Sequence, residues 1–60
     1  MELKFNIKAQ VLIRDLKTTG KVVSIWIVER GIQYEVRYST DTEYKTVYFY
    51  EEELDGIAGN

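Results

Sequence analysis

The sequence predicts an all-β fold: five short strands curled into a small barrel, with one short helical turn before the last strand. Three observations carry this reading. Residues 19–28 form the longest run of β-branched and aromatic side chains, from Thr19 through Val22, Val23, Ile25, Trp26 and Ile27 to Val28. Such residues fit a pleated surface better than a helix, and a helix of this stretch would be apolar all round, with no polar stripe for water. Residues 32–38 alternate cleanly, with Tyr34, Val36 and Tyr38 on one face and Gln33, Glu35 and Arg37 on the other. Short polar segments of turn composition separate the apolar runs.

Taken in order, residues 1–6 are a lead-in, in which Leu3 and Phe5 alternate against Glu2 and Lys4. Residues 7–14 give the first strand, with Val11 and Ile13 sharing a face with Ile7, and Leu12 and Arg14 opposite. Residues 15–20 are a polar connection closed by Gly20, a turn residue. In the long second strand, Ile25 and Ile27 face one way, Trp26 and Val28 the other. The spacing of Gly20, Val22 and Ile25 suggests a bulge near Val23 and Ser24, which turns Val22 to the side of Ile25 and bends the strand as a small closed sheet requires. Without the bulge Val23 lies inside instead. Trp26 faces away from Ile25 and Ile27 in both registers.

Glu29, Arg30 and Gly31 mark a hairpin, and residues 39–43 the next reversal. Residues 44–50 are the fourth strand, with Val47 and Phe49 inward and Tyr44, Tyr48 and Tyr50 outward. Ile25, Val36, Val47 and Phe49 are the expected centre of the core. Glu51, Glu52 and Glu53 suit one helical turn, where the backbone dipole favours acids near its N-terminus. Leu54 plugs the end of the barrel, Asp55 and Gly56 turn, Ile57 begins a very short fifth strand, and residues 58–60 fray.

Sixty residues, 1–60, make a single domain. A chain this short buries only about 60% of its unfolded surface, and its core contributes about 3–5 kcal/mol unless something staples it. Cysteine is absent, so no disulfide helps; histidine is absent too, which removes the usual zinc ligand and general base. No apolar run approaches the roughly 18 residues of a membrane span, and the N-terminus lacks a signal-peptide pattern. A soluble cytoplasmic protein is expected, with dimerisation as one way to steady it. Net charge is −2, with six basic and three acidic groups in residues 1–30 against two and seven in residues 31–60. This is a mixed surface, not the basic footprint of a general nucleic-acid binder.

Chemistry finds little to stand on. Glu51, Glu52, Glu53 and Asp55 lack calcium-loop spacing, and consecutive carboxylates diverge around a helical turn. Glu35 and Glu43 have no pocket signal to make an acid–base pair, and a barrel of this size is filled by its own side chains. Without histidine or a nucleophile motif there is no triad. The expectation is no enzyme, no metal or cofactor, and no small-molecule substrate.

The order of signals (strand, polar loop, Gly20-x-Val22-x-x-Ile25, hairpin, Tyr34-x-Val36-x-Tyr38, aromatic strand, acidic turn ending in Leu54) resembles the SH3-like and Tudor-like small barrels, including tiny bacterial and bacteriophage proteins. Residues 20–27, 34–38 and 47–54 carry it. The segment around Gly20 is also similar to the KOW motif, without most of its basic residues. The resemblance implies a domain that binds protein or nucleic acid and does not catalyse.

One Trp, five Tyr and two Phe exceed what alternation places inside. Outward rings can pair across strands and support a thin sheet, or form a recognition surface, since Tyr and Trp are over-represented at binding hot spots. A strongly bent second strand could also fold Trp26 over an open end of the barrel. The candidate binding residues are Trp26, Tyr48, Tyr50 and Tyr44, in a protein-interaction module that binds a protein partner or itself. The alternative is a KOW- or Tudor-like nucleic-acid binder, with tyrosines stacking bases and Lys4, Lys8, Arg14, Lys17 and Lys21 meeting phosphates.

Overall fold

The computed structural model of the chain describes residues 3–57; the expected fraying of residues 58–60 lies outside them. The fold is all-β. Five strands, β1 (Gln10–Ile13), β2 (Thr18–Val28), β3 (Gly31–Ser39), β4 (Tyr44–Tyr50) and β5 (Leu54–Gly56), form one antiparallel sheet, and a 3₁₀ turn (Glu51–Glu53) precedes β5. Their order is β4-β3-β2-β1-β5. No ladder joins β4 to β5, so the sheet is open and its two ends are edges.

β2 belongs to both halves of the sheet. Its first residues pair with β1 and its remainder with β3, and Lys21 faces both Gln10 and Arg37. The ladder to β3 slips between Val22 and Ser24, the site of the expected bulge. The slip settles the two registers: Val22 is fully buried and Val23 is turned outward.

One face of the sheet holds the core: Phe5, Val11, Ile13, Val22, Tyr34, Val36, Phe49 and Leu54, with Ile25 and Tyr38 packed against it. Ile13 lies opposite Leu54, Val22 opposite Val36, and Tyr34 opposite both Ile25 and Phe49. Tyr34 is the largest wholly buried side chain. Its ring meets Phe5 edge-on at 5.3 Å, and its hydroxyl accepts the backbone N–H groups of Lys4 and Phe5 at 3.1 and 3.3 Å. Phe5, expected in a mere lead-in, is thereby core. A contact 29 residues away in sequence leaves no local signature.

Several expectations are corrected. The first strand starts at Gln10, because the chain turns at Ile7 and Lys8, where Lys8 takes a positive φ of 78°; Ile7 is exposed. Gly20 is no turn residue. It lies within β2, opposite Val11, and a Cβ there would stand 2.6 Å from Val36 Cγ1 and 2.8 Å from the Arg37 carbonyl oxygen. Glycine is needed for close approach of β3. Gly31 is the hairpin glycine, at φ 139°, and it faces Val28 across a two-residue turn.

Ile27 has core parity but lies at the hairpin end, beyond the core, and is exposed. Val47 is opposite the buried Val36 yet keeps 39% of its surface, because β4 is an edge and nothing described packs beyond it. It is not a centre of the core. Asp55 and Gly56 are not a turn but part of β5, which starts at Leu54 and ends before Ile57. Leu54 is wholly buried, but as the first residue of β5, opposite Ile13 on the core face, rather than as a plug in the end of a barrel. The 3₁₀ turn is held by Glu53, whose carboxylate accepts the Tyr50 N–H at 2.7 Å, and by the Leu54 N–H donating to the Glu51 carbonyl.

Candidate functional site

The opposite face of the sheet is the candidate site. Period two and the register of β2, β3 and β4 place its side chains in rows across the sheet. Trp26 faces Gln33, which faces Tyr50. In the next row Ser24 faces Glu35, which faces Tyr48, and beyond it Lys21 faces Arg37, which faces Thr46. The bulge adds Val23 to this side.

Trp26 and Tyr48 come together over the central strand. Their ring centroids are 5.9 Å apart at an interplanar angle of 74°, although Trp26 is on β2 and Tyr48 on β4. Edge-to-face geometry sets the positive edge of one ring on the negative face of the other, a contact worth about 0.5–1.5 kcal/mol beyond buried area. Below the rings runs a polar relay. The Trp26 indole N–H donates to Ser24 Oγ at 2.9 Å, and the Ser24 hydroxyl donates to Glu35 Oε1 at 2.6 Å. The relay fixes the indole rotamer and satisfies the half-buried Glu35. Trp26 still exposes 51% of its surface and Tyr48 45%. Trp26 therefore does not fold over an open end of the sheet.

The other two candidates flank this pair without joining it. Tyr50 is half-buried beneath the Arg30 guanidinium, 5.3 Å from its ring, beside a shallow recess of about 300 Å³ against the 3₁₀ turn. Tyr44 is exposed at the start of β4, with the Arg37 guanidinium 4.5 Å over its ring. Sequence parity found all four rings. It passed over Ser24 and Glu35, which anchor the Trp26 indole, and Arg37, which covers Tyr44, although alternation had put Glu35 and Arg37 on the outer side.

The basic residues of the nucleic-acid alternative are not gathered into one stripe. Arg14 pairs with Asp55 at 3.6 Å, Lys17 sits in the β1–β2 turn, and Lys4 lies over Phe5 at the other side of the core. Lys21 stands on the outer face of β2, opposite Arg37. Among the described residues no group of His, Cys, Asp or Glu is placed to hold a metal ion, and no helix is long and apolar enough to cross a membrane. The arrangement offers an ordered aromatic surface with cations at both ends. Set beside known proteins, the chain matches no protein-family model, no curated protein and no solved structure.

Proposed function

We propose that the protein is a cytoplasmic, non-catalytic protein-interaction module of the SH3-like small-barrel type, whose working surface is the outer face of β2, β3 and β4. The long β2 with its bulge, the strand order and the 3₁₀ turn before the last strand support that fold type. One observation carries the functional reading: Trp26 and Tyr48 form an edge-to-face pair, with the indole anchored by the Ser24–Glu35 relay, while Trp26 keeps 51% and Tyr48 45% of its surface in water. The core has its own aromatics, Tyr34, Phe5 and Phe49, and does not use these two. Preorganised rings present large area with few torsions to freeze, which lowers the cost of binding. Tyr44 and Tyr50 extend the surface at its two ends, each with an arginine over its ring. A second copy is the other occupant to consider, because the seven-residue β4 leaves one edge unpaired.

Trp26→Ala and Tyr48→Ala test this. Each should lower stability by only about 1–2 kcal/mol and leave the circular-dichroism spectrum native. Each should also weaken co-purification of the host partner roughly tenfold or more, as hot-spot truncations do. If sedimentation shows a dimer that both variants dissolve, the occupant is a second copy. Native variants that keep every association would remove this face from the function.

A further inference from the structure

Beside the aromatic pair the outer face carries an arrangement that stability does not explain. Lys21 and Arg37 lie directly opposite each other on β2 and β3. Like charges in that position are destabilising. The one ion pair among the described residues, Arg14 with Asp55, is elsewhere. The nearest acid in the rows of this face, Glu35, is engaged by Ser24 at 2.6 Å. Arg37 is also held in place: its guanidinium lies 4.5 Å over the Tyr44 ring, which leaves the N–H edge of the fork free for a planar, bidentate acceptor. Val23, turned outward by the bulge, completes a shallow recess of about 300 Å³ lined by Lys21, Val23, Arg37 and Tyr44.

We infer that this recess is a carboxylate subsite, and that the surface takes an acidic protein segment whose Asp or Glu sits between Lys21 and Arg37 while an apolar residue rests on Trp26 and Tyr48. The inference rests on the proposed aromatic binding surface and names the chemistry of its partner. Spacing follows from the register. Trp26 faces Gln33, four residues along β3 from Arg37, which at about 3.3 Å per residue is roughly 13 Å. An extended segment covers that distance in four residues, so acid and apolar anchor are four positions apart and point the same way. A nucleic acid fits the face less well. Its regular phosphates would cross Glu35, between the two subsites, on a chain of net charge −2. A free small acid gains too little from an open recess; the neighbouring rings must contribute.

The test is a display library of random nine-residue peptides, selected on immobilised wild-type protein, on Lys21→Gln/Arg37→Gln and on Trp26→Ala. Both variants should keep a native circular-dichroism spectrum and a cooperative melt. Wild type should enrich peptides with Asp or Glu four residues from a large apolar residue. The double variant should lose the acid preference and keep the apolar one, while Trp26→Ala does the reverse. By fluorescence anisotropy, an enriched peptide should bind the double variant roughly tenfold or more weakly. The same peptide with Gln for its acid should not distinguish the two proteins. Enrichment that depends on Trp26 but ignores acids would overturn the carboxylate subsite and leave the aromatic surface standing. No Trp26-dependent enrichment would overturn both. A thymidine oligonucleotide that binds through Lys21 and Arg37 more tightly than any enriched peptide, or a dimer in sedimentation that the double variant dissolves, would assign the recess to another occupant and overturn the proposal.

Discussion

Tyr34→Ala should unfold the protein at room temperature. Tyr34 is wholly buried at the crossing of Ile25 and Phe49, and its ring and hydroxyl together hold the segment before β1. Truncating a buried aromatic costs about 3–5 kcal/mol, as much as the whole core of a domain this size contributes. The far-ultraviolet spectrum of the variant should show no cooperative melt. Tyr34→Phe separates the two roles. It keeps the 5.3 Å edge-on contact with Phe5 and removes only the acceptor of the Lys4 and Phe5 N–H groups. Its cost should be about 1–2 kcal/mol, read as a lower melt with a native spectrum and faster hydrogen exchange at the Phe5 amide. A Tyr34→Ala variant that melts like wild type would refute the core described above.

Gly20→Val should be nearly as damaging, for the opposite reason. The added Cβ alone would stand 2.8 Å from a backbone carbonyl oxygen of β3 and 2.6 Å from a methyl of the buried Val36. The backbone atom cannot rotate aside, so β2 and β3 must separate where β2 passes from one half of the sheet to the other. Overpacking of this kind costs about 1–3 kcal/mol or more, and chemical denaturation should show that loss or outright unfolding.

The contrast between those two residues shows what local patterning can reach. Period-two alternation placed Tyr34 and Val36 inside and Trp26, Tyr44 and Tyr48 outside, because a strand's parity is a property of a few neighbouring residues. The bulge was legible for the same reason, and with it the partner of Lys21 follows. The two-residue turn sets Val28 opposite Gly31, and one slipped residue brings Lys21 to Arg37. Phe5 was illegible because its burial depends on a hydroxyl 29 residues away. Val47 and Ile27 have inward parity but lie at an edge and at a hairpin tip, where no layer covers them; alternation reports which way a side chain points and not what stands there. The Trp26–Tyr48 contact spans an intervening strand, so it appears only once the register of both ladders is known.

The central claim is that the outer aromatic face stands apart from the core, open to a partner. Trp26 is the single tryptophan of the chain, so its fluorescence reports on that face alone. Acrylamide quenching of the dilute native protein is the direct measurement. With 51% of Trp26 exposed, quenching should approach that of the unfolded chain, with a red-shifted emission that does not change with protein concentration and becomes protected when an acidic partner segment binds. A blue-shifted emission shielded from acrylamide at every concentration would put Trp26 in the core and contradict the account.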